Sequence, residues 1–410
     1  MRLELPSGPA HLTYCTNIHR GESWTDTFAT LRYHLPAVKR EVSPDALMGV
    51  GLRLSAIAAE ALEQPVELEA LQGFLADAGL YVFTVNGFPY GPFHGERVKQ
   101  RVYAPDWREP ERLAYTDRLA TLLAALLPGD QPALAGSVST VPGAYRDAAA
   151  SPDTCAAIAE ALLRHVALLA TLEDRTGRHI ALALEPEPMC LLETTAEAVA
   201  FFERHLFSAT AITRLAALSG RSRATSETLL RRHLGLCLDV CHAAVEFETP
   251  ADSVGLLTGA GIAVPKLQLS SALAVPRIDQ EAAALLRRFD DGVYLHQVVE
   301  RGPEGLVRFL DLPEALAAHA DRDDEAHAGE EREWRVHCHV PVFHDAPLGR
   351  LATTQPMLLD MLALQRDHGV STHLEVETYT WDVLPPELCA GRLDAAISRE
   401  LAWVRDRLLP

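Results

Sequence analysis

Eight short apolar runs, each closing on polar side chains and separated by stretches that are mostly of helical spacing, set the tightest limit on the fold. They are His11–Asn17, Leu80–Asn86, Ala133–Thr140, His179–Glu185, Leu234–Asp239, Ala263–Ser270, Trp334–Phe343 and Thr372–Trp381. Ser23 or Thr25 is placed to cap a helix running through Lys39, and helical spacing covers 43–62, 66–78 (ended by Gly79), 110–127, 152–176, 194–206 and 223–232. Strand candidates alternating with helices predict a parallel α/β fold. Eight of them favour a closed (β/α)8 TIM barrel over a doubly wound sheet, and the first is not followed by the Gly-rich turn of a dinucleotide site. The 410 residues then form a single barrel domain, 1–410, with extended loops and extra helices.

The chemistry is concentrated where these runs end: Asn17, Asn86, Ser139, Glu185, Asp239, Gln268, His339 and Glu377. In a barrel those ends converge on one face. Alternate strand residues share a side, so His337 looks the same way as His339, and Glu375 the same way as Glu377. Carboxylates, an amide and imidazoles crowded together repel or stay unpaired unless a cation holds them. Oxygen-rich ligation with some nitrogen suits Mn²⁺ or Mg²⁺, and also admits Zn²⁺, Co²⁺ or Fe²⁺. The spacing leaves open whether Glu375 or Glu377 faces the ion, because Glu375 equally suits a salt bridge inside the barrel. Substrate contacts are expected from Asn17, His19, Asn86, His94, Tyr379 and Trp381, whereas Tyr14 and Trp24 read as packing. The loop 87–95, with Tyr90, Phe93 and His94, either walls a pocket or covers the mouth.

Ala-Leu-Glu185-Pro, Leu-Asp239-Val-Cys-His242, Lys266-Leu-Gln268-Leu and Val-Glu377-Thr-Tyr resemble the ligand motifs of the xylose-isomerase-like TIM barrels. That group includes hydroxypyruvate isomerase, ketohexose 3-epimerases, inosose dehydratase and endonuclease IV. The resemblance implies one divalent ion held by Glu185, Asp239, Gln268 and Glu377, on strands four, five, six and eight. It implies a substrate whose carbonyl and hydroxyl oxygens meet that ion, with Glu185 and Glu377 moving a proton through an enediolate and His242 orienting a substrate oxygen. His337-x-His339 is similar to a ligand pair of endonuclease IV, as Asp239…His242 is to another, which implies further metal. Gln268 departs from that enzyme's His, which counts against a nuclease.

The longer stretches HLTYCTNIHRGESW, NGFPYGPFHG, LALEPEPMCLLET, LCLDVCHAAVEFE, KLQLSSAL, HCHVPVF and HLEVETYTWDVLP resemble one narrower group, the EboE metabolite-traffic family of a bacterial secondary-metabolite cluster. That implies a small-molecule pathway with partners from the same cluster, and it raises a non-catalytic alternative in which the barrel carries a metabolite.

Composition narrows the partners. A net charge of −19, with 56 acidic against 37 basic residues, argues against nucleic acid, which needs a positive field. The seven cysteines are scattered without zinc-site spacing and read as buried thiols of a reducing compartment. The N-terminus lacks a signal-peptide pattern and the Ala/Leu stretches are broken by charge, so a cytoplasmic chain without a membrane span is expected. The charged stretch 320–335 reads as a solvated loop.

Overall fold

The computed structural model describes residues 1–94, 97–146, 151–321, 331–346, 348–389 and 391–409. Its first two strands, β1 (Arg2–Leu5) and β2 (Gly8–Tyr14), form an antiparallel hairpin about Pro6 and Ser7. The chain then alternates with helices through β3 (Met48–Arg53), β4 (Leu80–Asn86), β5 (Gly136–Thr140), β6 (Ile180–Leu184), β7 (Leu234–Asp239) and β8 (Ala263–Leu269). A smaller sheet follows, of β9 (Leu273–Val275), β10 (Val298–Gly302), β11 (Gly305–Phe309), β12 (Glu333–Val336) and β13 (Ala352–Thr353). The last strand is β14 (His373–Val376).

Among the described residues, the parallel pairs run β2–β14–β8–β7–β6–β5–β4–β3. A parallel bridge between Cys15 and Gly51 brings β3 back against β2. Side chains complete the seam: Thr13 Oγ1 accepts from Gly51 N–H at 3.1 Å and Thr16 Oγ1 accepts from Arg53 N–H at 2.9 Å. The expected (β/α)8 barrel is therefore formed, with seven of the eight runs read from the sequence as its strands and β3 in place of the run at 334–343. β3 lies inside 43–62, read there as wholly helical. Only Ala56–Leu62 is helix, started by Ser55, whose Oγ accepts from Ala58 N–H. The run at 334–343 is not a barrel strand: β12 pairs antiparallel with β10 and β9 in the insertion between β8 and β14. Glu185 thus follows the fifth barrel strand, Asp239 and Gln268 belong to the sixth and seventh, and Glu377 follows the eighth.

Two glycines explain why β3 escapes an apolar count. A Cβ on Gly49 would come 2.4 Å from the Phe83 ring, and one on Gly51 would come 1.8 Å from Glu375 Oε1. Both are dictated by what fills the barrel. That filling is partly polar: Lys266 pairs with Glu375 at 2.6 Å with neither side chain exposed, and Lys266 Nζ also donates to Ser139 Oγ at 3.2 Å. Burial alone would lower the Lys266 pKa; the attraction of Glu375, helped by Cys237, Cys15 and Glu185, outweighs it and the net shift is upward.

Helix Pro152–Thr176 carries a window of mean hydropathy 1.6 and is long and apolar enough to match a bilayer, contrary to the sequence reading; it is half buried in the fold. Its buried face, Ile158, Leu162, Val166 and Leu169, joins the barrel core. The insertion has a core of its own around Leu273, Val275, Phe289, Val298, Phe309 and Trp334. Arg335 ties it to the barrel by donating to Ala244 O at 2.6 Å and lying 4.0 Å from the Phe247 ring centroid. Of the charged stretch 320–335, residues 322–330 lie outside the described residues, while Glu333–Arg335 is strand rather than loop.

Candidate active site at the barrel mouth

Each carboxylate of the site sits where a parallel strand gives out. Glu185 follows β6 and is held by its N–H to Thr140 O at 3.1 Å. Asp239 ends β7 and caps the short helix Val240–Val245: Oδ1 accepts from His242 N–H at 3.0 Å and from Ser270 Oγ at 2.7 Å. Glu377 follows β14, its N–H bonded to Leu269 O at 3.2 Å. Oxygens of Glu185, Asp239 and Glu377 lie within 4.8 Å of one another, and all three residues are buried. Glu375 pairs with Lys266 inside the barrel, while Glu377 lines the mouth cavity, so Glu377 is the strand-eight carboxylate at the mouth.

Amides orient this group. Asn17 and Asn86 donate through Nδ2 to Glu377 Oε1 at 2.7 and 2.9 Å, and Gln268 Nε2 donates to Oε2 at 3.0 Å. That leaves Gln268 Oε1, Glu185 Oε2 and Asp239 Oδ2 buried without a hydrogen-bond partner. Burial, then repulsion from Glu377 and Asp239, pushes the Glu185 carboxyl well above its usual range. Burial, then Asp239 and Glu375, brings Glu377 to about 8. Unpartnered oxygens and mutually repelling carboxylates in one dry spot are the environment that a bound cation relieves.

Imidazoles flank the carboxylates. His242 Nδ1 is 3.0 Å from Pro186 O, His339 Nδ1 is 2.8 Å from Glu377 O, and His337 Nδ1 is 2.8 Å from Gln297 Oε1. Carbonyl oxygens only accept, so each ring donates through Nδ1 and turns an Nε2 lone pair elsewhere. Nε2 of His337 and His339 has no hydrogen-bond partner, and His242 Nε2 lies 4.0 Å from Asp239 Oδ2. Burial keeps all three rings neutral, His242 at about 4. Neutral imidazole with an outer Nδ1–H partner is the form that binds metal.

Glu187 joins the site without having been singled out in the sequence. It groups with His242 and His337, accepts from Tyr103 O–H at 2.6 Å, and is raised to about 8 chiefly by burial. Its signal was the spacing Glu185-Pro-Glu187. Tyr103 and Gln297 had none, since they arrive from a loop turn and from the insertion.

The remaining predicted residues divide. Asn17, Asn86 and Tyr379 line the mouth cavity, about 530 Å³ of space counted out to its open side. His19, His94 and Trp381 do not. His19 stacks on His34 at 4.1 Å and bonds the Tyr14 hydroxyl at 2.9 Å. His94 supports Asn17 from behind, with Nε2 2.6 Å from its carbonyl oxygen. Trp381 is buried beside Phe343. Of the 87–95 loop, Phe93 forms the cavity's wall with Tyr294 and Tyr379, ring centroids 5.1–5.3 Å apart, whereas Tyr90 packs on Tyr115 away from it; Gly95 lies outside the described residues.

No family model and no curated protein matches this chain. Solved structures do. A xylose isomerase-like TIM barrel protein from Mycobacterium smegmatis, in complex with magnesium, is 11% identical, with 97% of this chain and 96% of that one covered and a TM-score of 0.50. The fold is that of the xylose isomerase-like TIM barrels. Also similar are the IOLI protein with a binding zinc atom (12% identity, 97% and 98% covered, TM-score 0.47) and the probable 3-DHS dehydratase AsbF from Bacillus anthracis (11%, 96% and 97%, 0.42).

Proposed function

We propose that the barrel mouth is a divalent-metal site at which a small polyhydroxylated or carbonyl-bearing metabolite is isomerised or epimerised. The observation that carries this reading is the convergence of unpartnered Glu185, Asp239 and Gln268 oxygens beside Glu377. These four residues would hold the ion, with Mn²⁺ or Mg²⁺ favoured by the oxygen-rich set and Zn²⁺, Co²⁺ or Fe²⁺ admitted; His337 and His339 offer nitrogen on the adjoining side. The magnesium in the Mycobacterium smegmatis protein agrees with that choice.

Bound there, a divalent ion supplies positive charge for substrate carbonyl and hydroxyl oxygens and for the charge that develops on them as a proton leaves. The chain's own groups do the rest. Glu377, fixed by three amide donors, and Glu185, with one free oxygen, are the two carboxylates that take and return a proton at the carbon next to the carbonyl. His242 is set by Pro186 O to present Nε2 toward a substrate oxygen. Phe93, Tyr294 and Tyr379 exclude water over the site.

The motif resemblance to the EboE group supports a role in a secondary-metabolite pathway, with partners from the same gene cluster. The alternative, a barrel that binds a metabolite without transforming it, is separated by solvent exchange. Incubation of metal-loaded protein in D₂O with candidate aldoses, ketoses and 2-hydroxy carbonyl compounds should place deuterium on the carbon next to the carbonyl of the true substrate. Tight binding of a ligand that never exchanges would favour the carrier instead.

A further inference from the structure

At the opposite end of β6 and β7, roughly 20 Å from the mouth at about 3.3 Å per strand residue, a second set of ligand-type side chains meets. His179 immediately precedes β6, His233 immediately precedes β7, and Glu173 lies near the C-terminal end of helix Pro152–Thr176. One atom from each lies within 4.8 Å of the others.

The hydrogen bonding around them is incomplete in one direction only. His233 has no exposed side-chain surface, and its Nδ1 sits 2.7 Å from Ile180 O. The carbonyl accepts, so Nδ1 carries the proton and a neutral ring bears its lone pair on Nε2. That Nε2 has no hydrogen-bond partner, yet Glu173 Oε2 is 3.1 Å away. The two atoms are close without being aligned to bond, an acceptor beside an acceptor. His179 Nδ1, also buried and without a hydrogen-bond partner, lies 3.9 Å from the same oxygen. Arg232 takes the other oxygen, Nη2 to Oε1 at 2.6 Å, and its longer contact to Oε2, 3.3 Å from Nε, leaves that atom turned to the imidazoles. Burial keeps both rings neutral, His179 at about 4.

We propose that Glu173, His179 and His233 form a zinc site on the N-terminal face of the barrel, separate from the mouth. Bonds of about 2.0–2.1 Å at tetrahedral angles put ligand atoms roughly 3.4 Å apart, and the separations of 3.1 and 3.9 Å bracket that value. Two imidazoles and a carboxylate leave a fourth position for water, and the partial exposure of His179 and Glu173 gives the ion a way in. Zinc there would pin the end of the helix to the starts of two barrel strands. On this face of a barrel such a clamp serves stability rather than catalysis.

The test titrates metal-free full-length chain with Zn²⁺ in a chelator buffer, reading zinc bound per chain and melting temperature. Wild type, His179→Ala, Glu173→Gln and His179→Cys are compared. Every variant keeps the mouth residues, so zinc taken up there is common to all. His179→Ala and Glu173→Gln are expected to bind one equivalent fewer than wild type and to lose the matching part of the zinc-dependent rise in melting temperature. His179→Cys, which supplies a thiolate, is expected to regain the equivalent. Should His179→Ala not fold, Glu173→Gln carries the test, since its amide oxygen can still accept from Arg232. Equal zinc in wild type and variants, or none in wild type, overturns the proposal.

Discussion

The side chains at the mouth are defined as much by what they fail to bond as by what they bond. Asp239 spends Oδ1 on a helix N–H and on Ser270, and keeps Oδ2 free. Glu185→Gln removes one of three repelling carboxylates, so the metal-free variant should melt above metal-free wild type by the equivalent of about 1 kcal/mol while binding divalent metal at least about tenfold more weakly. Scanning calorimetry and metal titration read the two effects, and a variant that loses stability without metal would contradict the account. Glu400 makes a different prediction. It accepts from Thr378 Oγ1 at 2.7 Å and Val342 N–H at 3.1 Å, and burial raises it to about 7. Its folded value is above its unfolded one, so between about pH 4.5 and 7 the native state holds the extra proton. Stability from this group is present below that window and is lost as pH rises through it. Glu400→Gln can still accept both bonds and should flatten that part of the stability–pH profile, as denaturant melts at stepped pH would measure.

At the scale of elements, β3 depends on the absence of two side chains. Gly51→Ala drives a methyl into Glu375 and disturbs its fully buried pairing with Lys266, a change expected to cost on the order of 3 kcal/mol in urea denaturation. A near-neutral result would mean that the Lys266–Glu375 pair is not where the structure has it. The same glycines explain how the strands were legible. Long apolar runs such as Leu80–Asn86 and Leu234–Asp239 announced themselves, and helix Pro152–Thr176 matched its expected limits. Met48-Gly-Val-Gly-Leu-Arg53 did not, because a strand whose inward positions are glycine has no alternating pattern. The run around His337-x-His339 read as a barrel strand because nothing local distinguishes a strand of an inserted antiparallel sheet. The polar ends of the runs still brought Glu185, Asp239, Gln268, His337, His339 and Glu377 to one place. Glu187, Tyr103 and Gln297 depend on loop and insertion geometry that spacing does not carry, and His19, His94 and Trp381 turned into packing for the same reason.

For the whole molecule, the barrel concentrates buried negative charge at one end of a chain that already carries −19, which favours capture of a cation over an anion. A ligand that binds only the folded chain stabilises it by roughly 2.7 kcal/mol at a hundredfold excess over Kd, so chelation should lower the melting temperature reversibly. The insertion, whose Arg335 holds the Val240–Val245 helix and whose His337 lines the mouth, makes the site a joint product of barrel and insert. The most direct measurement is a Mn²⁺ titration of metal-free full-length protein followed by calorimetry, in wild type and in Asp239→Ala whose circular dichroism confirms folding. The account predicts a bound Mn²⁺ in wild type and its loss in the variant; no binding in wild type, or unchanged binding in Asp239→Ala, would contradict it.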